Sequence, residues 1–258
     1  MNFYIIIILI ILLIIFYYIY TTNDLNKICN NLEFFRYGSS TYDNKTILIL
    51  GGIHGNEPAG SKAIYQLMDE LNTNKITTKN KLILIPYVNY CALQLNIRSI
   101  LGIGDLNRKF PDKTNYNDNN LHPIIKKILL FIKEADIVLD FHEGWGFYRD
   151  NNGSIGSTIT PSNTKKSITL ANELYDRINK DIIDNNKKFT ILVDEDSLIK
   201  TDNNKYGKTN DIKHTLRYYV NLINKDYLLI ETSGQNDIQD IVVRTNQNRN
   251  IIDYIINL

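Results

Sequence analysis

Thr46-Ile47-Leu48-Ile49-Leu50-Gly51-Gly52-Ile53-His54-Gly55-Asn56-Glu57-Pro58-Ala59-Gly60 carries an apolar strand into a glycine-rich turn and then into a helix start marked by Pro58. A strand feeding such a turn delivers His54 and Glu57, three residues apart, to one rim of a sheet. Two other apolar runs end in chemistry-bearing residues. Ile137-Val138-Leu139-Asp140-Phe141 is followed by His142, and Tyr227-Leu228-Leu229-Ile230 by Glu231. Catalytic zinc sites commonly take three protein ligands from His and Glu and leave a fourth position for water. These three strand ends therefore suggest one water-activating metal site.

Outward from that stretch, strand and helix signals alternate. Strands are expected over 46–50, 81–88, 136–141, 189–193 and 227–230. Helices are expected over 58–71, 122–134, 167–184, 211–223 and 238–256. The 167–184 segment places Leu170, Leu174, Ile178 and Ile182 at four-residue spacing. Polar loops are read at 112–120 and 194–210. Alternation of this kind predicts a three-layer α/β/α domain with a central mixed, mostly parallel sheet. Ligands of such sheets gather at the carboxyl ends of strands, where His54, His142 and Glu231 fall. No internal repeat or second-domain signature is visible.

The chain of 258 residues is long enough for one substantial core. Its 29 basic and 28 acidic residues leave a net charge of +1, with no basic stripe to imply a nucleic-acid partner. Two cysteines, Cys29 and Cys91, are too few for a disulfide framework. Residues 3–20 are apolar and aromatic without a charge and would span roughly 27 Å as a helix. They are read as a single-pass membrane anchor of undetermined orientation. A cleaved signal peptide is the first alternative, but neither a basic n-region nor a small-residue cleavage site is present; a buried helix of the globular domain is the second, disfavoured at this length without polar residues. The expected organisation is thus an anchor at 1–20, a linker at 21–33 and a catalytic domain at 34–258.

The stretch after the second expected strand adds Arg98 and then Asp105-Leu106-Asn107-Arg108-Lys109-Phe110. The order His-x-x-Glu, Arg, Asp-x-Asn-Arg-x-Phe, Asp-x-His and strand-end Glu resembles the zinc carboxypeptidase superfamily. It is most similar to the succinylglutamate desuccinylase/aspartoacylase branch, over about residues 45–250. The resemblance implies one zinc ion per chain held by His54, Glu57 and His142. It implies that Arg98 polarises the scissile carbonyl and that Asn107 and Arg108 grip the substrate carboxylate. Asp105 matches an acid hydrogen-bonded to the first histidine ligand. Glu231 matches the general base that takes a proton from the attacking water and returns it to the leaving amine. Chemistry agrees: an Arg fork binds both oxygens of a carboxylate in one plane, and an acid behind a histidine ligand fixes its tautomer.

The expected activity is hydrolysis of an amide bond in a small substrate with a free carboxylate, N-acyl amino acids first. A metallocarboxypeptidase acting on peptide C-termini is the alternative. A catalytically inactive, membrane-anchored binding protein is the alternative of another class, against which the intact Glu231 and Arg98 argue. Full aspartoacylases carry a β-rich domain after the catalytic glutamate, whereas 27 residues follow Glu231 here. Aspartate or succinylglutamate specificity is therefore not implied. His122 and His214 read as structural. Trp145, Phe147 and Tyr148 are candidates for a pocket wall. Tyr206, Tyr218 and Tyr219 are candidates for a carboxypeptidase-like tyrosine.

Overall fold

The computed structural model describes residues 11–12, 28–38, 44–100, 102–151, 153–194, 205–235 and 238–258. Of the expected anchor, Ile11 and Leu12 are helical; the rest of 3–20 lies outside the described residues. Among the described residues no helix is long and apolar enough to cross a membrane. Neither cysteine is a free thiol.

Among the described residues, eight strands and six α-helices follow one another along Leu32–Leu258, one compact unit. In chain order they are β1 (Phe35–Tyr37), β2 (Thr46–Gly51), α1 (Pro58–Asn72), β3 (Lys81–Ile85), α2 (Tyr90–Gln94), α3 (Pro123–Glu134) and β4 (Ile137–Gly144). Then follow β5 (Thr158–Pro161), α4 (Lys165–Ile178), β6 (Thr190–Asp194), β7 (Tyr206–Thr209), α5 (Leu216–Leu222), β8 (Asp226–Ser233) and α6 (Ile241–Ile256). The strands form one sheet in the order β1-β3-β2-β4-β8-β5-β6-β7. Only β1 with β3 and β5 with β8 pair antiparallel, so the sheet is mixed and mostly parallel, as expected.

Alternation along the strands sends side chains to two apolar layers. Ile47, Ile49, Ile137, Leu139, Phe141, Leu228 and Ile230 meet α1, α4 and α6 through Ala63, Ile64, Leu170, Leu174, Ile252 and Ile255. Leu48, Leu50, Val138 and Tyr227 meet α3 and α5 through Ile124, Ile128, Ile132, Leu216 and Val220 on the opposite face. The middle strands are buried on both faces, which is why they read as continuous apolar runs. Pro58 and Pro123 both open their helices, and His122 caps α3 by accepting from the Ile124 amide at 3.3 Å.

Three strands escaped the sequence reading. β1 has three residues, β5 is threonine-rich and ends in Pro161, and β7 lies inside the stretch read as the 194–210 loop. Three helices fall short of expectation by three or more residues at one end: α4 stops at Ile178 rather than 184, α5 starts at Leu216 rather than 211, and α6 starts at Ile241 rather than 238.

The short edge strand β1 is fastened by charge. Arg36 donates to both Glu134 oxygens at 2.7 and 2.8 Å, and Lys81 pairs with the same carboxylate. Arg36 and Lys81 together outweigh burial and hold the Glu134 carboxyl down at about 2. Its folded pKa lies below the usual 4.5, so the stabilisation is complete above about pH 4.5 and is lost as pH falls through about 2. Glu134→Gln is expected to cost at most about 1 kcal/mol at neutral pH, because the pair is partly exposed. Urea unfolding of both proteins should show the gap narrowing over that acid window; a gap independent of pH would contradict the assignment.

Candidate functional site

The three central parallel strands β2, β4 and β8 end side by side, and the candidate residues sit on those ends. Register pairs His142 of β4 with Glu231 of β8 and Gly51 of β2 with Phe141 of β4. His54 follows β2 in a turn that only glycine permits at Gly52, where φ is +67°. Gly55 is needed for space: a Cβ there would meet the Ala92 backbone of α2 at 2.0 Å. The Gly55 amide also donates to the Arg98 carbonyl at 3.3 Å, tying the two loops together.

His54, Glu57 and His142 converge, all three buried. His54 Nδ1 lies 2.9 Å from Glu57 Oε1, His142 Nδ1 lies 2.9 Å from Glu57 Oε2, and the two Nδ1 atoms are 3.1 Å apart. Among the described residues this is the one cluster of His, Cys, Asp or Glu side chains able to hold a metal ion. Each ring turns its other nitrogen to an acid. His54 Nε2 is 3.1 Å from Asp105 Oδ1, and His142 Nε2 is 3.3 Å from Asp140 Oδ1. With the ring protons on the Nε2 atoms, three lone-pair acceptors face one another, an arrangement that a cation stabilises. Zinc with ligands at 2.0–2.2 Å needs donors about 3.3 Å apart in a tetrahedron. The observed separations are slightly tighter, so the set fits zinc with a small outward shift.

The electrostatics follow the same contacts. Burial opposes ionisation of Glu57, but His142 and His54 prevail and bring its carboxyl down to about 2. Burial disfavours a charged His142, yet Asp140 and Glu57 raise its pKa well above the usual value. Asp105 is likewise desolvated, and His54 and Arg98 hold it well below the carboxylate range. Asp105 serves three partners. It accepts from the Asn107 amide at 2.8 Å, starting the turn Leu106–Arg108; it faces His54; and its Oδ2 accepts from Arg98 at 3.0 Å.

Glu57 stands at the N-cap of α1 but makes no side-chain cap there. Glu143 does that work from β4, accepting from the Ala59 amide at 2.6 Å and pairing with the buried Arg244 of α6. Glu57 is thereby released toward the two histidines. The Glu143 amide and Gln235 Nε2 hold it there, at 3.2 and 3.3 Å. Asp140, Glu143 and Gln235 are the residues of this centre to which the sequence reading gave no role. Asp140 was legible, since Asp140 and His142 are two apart on a strand and so share a face. The partners of Glu143 and Gln235 are 84 and 178 residues away, a pairing no local pattern encodes.

Beside the cluster opens a cavity of ≈ 170 Å³. Arg98, Asn107, Arg108 and Glu231 all line it, so the structure brings the expected residues to one place. Glu231 is buried, and among the described residues its Oε2 has no hydrogen-bond partner. Burial pushes its carboxyl well above the usual range; His142 opposes this, and Glu57 and Asp140 add to it. Arg98 donates to Glu57 Oε1 at 3.2 Å. Asn107 Oδ1 accepts from the Leu216 amide at 2.9 Å, which anchors the start of α5 to the cavity rim.

Other candidates fall elsewhere. Trp145, Phe147 and Tyr148 are not among the lining residues, nor are Tyr206, Tyr218 and Tyr219; the tyrosine that lines the cavity is Tyr227. Tyr206 is engaged with Asn172 and Tyr219 packs edge-on to Tyr116. His214 faces the Phe110 carbonyl at 3.1 Å, away from the cluster, which keeps its structural reading.

Part of the sequence matches a known family. Residues 43–146 match the succinylglutamate desuccinylase/aspartoacylase catalytic domain. The match spans both histidines, Glu57, Arg98 and the 105–110 motif, and stops short of Glu231. Among curated proteins no match to this chain was found. The fold recurs in product-bound Csd4, a cell shape determinant protein of Helicobacter pylori. There the TM-score is 0.65 at 19% identity, covering 86% of this chain and 54% of that one. The mDAP-bound form of Csd4, a D,L-carboxypeptidase, gives 0.62 at 19%, covering 85% and 52%. A succinylglutamate desuccinylase from Silicibacter sp. TM1040 gives 0.54 at 20% identity, covering 86% and 60%. The chain thus spans little more than half the length of these structures, and at such identities they show a shared fold.

Proposed function

We propose that this protein is a zinc-dependent hydrolase cleaving an amide bond in a small substrate that bears a free carboxylate, an N-acyl amino acid first. The observation that carries the reading is the convergence of His54 Nδ1, His142 Nδ1 and the Glu57 carboxylate beside Glu231. Donor chemistry supports it. Glu57, Asp105 and Asp140 lie against the two rings, and Arg98 pairs with Glu57 and Asp105, so the carboxylates outnumber the guanidinium and suit a divalent cation.

His54, Glu57 and His142 hold the ion, which when bound polarises a carbonyl and lowers the pKa of water. Glu231 takes the proton of the attacking water and passes it to the leaving nitrogen. Arg98 lies next to Glu57 and Asp105, placed to meet the developing oxyanion. Arg108 and Asn107 receive the substrate carboxylate at the cavity rim. The same arrangement suits a peptide C-terminus, a second reading favoured by the fold shared with Csd4. Attachment through residues 3–20 remains part of the proposal on hydropathy alone.

The test is to purify the full chain, measure bound zinc, and assay N-acyl amino acids against short peptides. Stoichiometric zinc with amide turnover supports the enzyme. Zinc without turnover supports the anchored binding protein instead. His142→Ala is expected to lose most of the bound zinc by elemental analysis; undiminished stoichiometry would remove His142 from the ligand set.

A further inference from the structure

Tyr227 has no part in the chemistry above, yet it is almost fully buried and lines the cavity. It lies on β8 opposite Val138 of β4, two positions before Leu229, which faces Asp140. Tyr227, Leu229 and Glu231 share one face of β8, as Val138, Asp140 and His142 share one face of β4. The Tyr227 hydroxyl reaches diagonally across and donates to Asp140 Oδ2 at 2.9 Å. The other oxygen of Asp140 faces His142 Nε2 at 3.3 Å. His142 Nδ1 then points into the donor cluster. Tyrosine, aspartate and histidine thus form a line across two adjacent strands, ending at the metal ligands.

Asp140 is wholly buried, and the Oδ1–Nε2 approach is not aligned as a hydrogen bond. Among the described residues the Tyr227 hydroxyl is therefore the hydrogen-bond donor that sets the rotation of this carboxylate. A neutral imidazole carries one proton. An acid on Nε2 selects the tautomer that leaves the Nδ1 lone pair free. A carboxylate free to rotate selects less well. Burial and Asp140 both raise the pKa of Tyr227, which keeps its hydroxyl a donor.

We infer that Tyr227 is a positioning residue for the metal centre, holding the Asp140 carboxylate so that His142 presents Nδ1 to the ion. The inference rests on the proposed zinc site. A purely structural role for Tyr227 predicts something different: a change in thermal stability with no change in metal affinity.

Zinc affinity is measured on the full chain by competition with a chromogenic chelator, without substrate. Tyr227→Phe removes one oxygen and is expected to weaken zinc binding about 10-fold, toward the lower end of what such supporting partners contribute. Asp140→Asn is expected to weaken it at least as much. Adding Tyr227→Phe to Asp140→Asn should cause no further loss, because the tyrosine acts through the aspartate. Unchanged affinity in Tyr227→Phe, or losses that simply add, overturns the inference while leaving the zinc site in place. Unchanged affinity in Asp140→Asn overturns it too, and that measurement stands even if Tyr227→Phe does not fold. If the wild-type chain binds no zinc, the hydrolase reading falls and this inference falls with it.

Discussion

Glu231→Gln is expected to keep zinc and lower amide turnover by about 10²–10⁴-fold, the usual range for a lost general base. Glu231 is buried on β8 directly across from His142, and among the described residues its Oε2 has no hydrogen-bond partner. That oxygen is free to take a proton. Desolvation, reinforced by Glu57 and Asp140, raises its proton affinity above that of an ordinary carboxylate. A base whose pKa is lifted toward the working pH transfers protons more effectively, up to the point where it stays protonated. Gln matches its volume and leaves the three ligands untouched, so metal content separates loss of the base from collapse of the site. Single-turnover kinetics with a good substrate, alongside elemental zinc, checks both halves. Near-wild-type turnover would make Glu231 structural and require another base.

Much of this centre was legible because strands buried on both faces must be apolar throughout. A His or Glu closing such a run is conspicuous, as at His142 and Glu231, while His54 stood out by its three-residue spacing from Glu57 in the turn after β2. The turn between β2 and α1 was readable through Gly52 and Pro58, each with a fixed conformational demand. What was not legible depends on partners distant in sequence. β5 is a strand because β8 and β6 flank it, and nothing in Thr158-Ile159-Thr160-Pro161 requires that. β7 is an edge strand with partly exposed side chains, and its polar composition reads as loop. Glu143 looked like a neighbour of His142 without a task. Its task, capping α1 while pairing with Arg244, exists only once β4, α1 and α6 are packed.

Arg108→Ala is expected to abolish discrimination between a substrate and its carboxamide analogue. Arg108 ends the short turn Leu106–Arg108, whose Asn107 amide donates to Asp105, and its side chain lines the cavity. One guanidinium nitrogen donates to the Asn107 carbonyl at 2.8 Å, which orients the fork and leaves other N–H groups for a ligand. A planar fork meets a carboxylate through two charge-assisted bonds, which a neutral amide does not reproduce. Losing one partner of a covered charge pair costs about 2–5 kcal/mol. Arg108 is exposed in the free protein, which favours the lower end. About 2–3 kcal/mol corresponds to roughly 30- to 150-fold in kcat/KM. The wild-type protein should prefer the free acid by that factor, and Arg108→Ala should cleave acid and amide alike, at a rate near that of the wild type on the amide. Zinc content should not change, since Arg108 touches none of the three ligands. If the wild type cleaves both compounds equally, the carboxylate requirement is wrong. The deacylase and carboxypeptidase readings then fail together, leaving a metal-dependent amidase for neutral or internal amides, with Arg108 serving only to close its own turn.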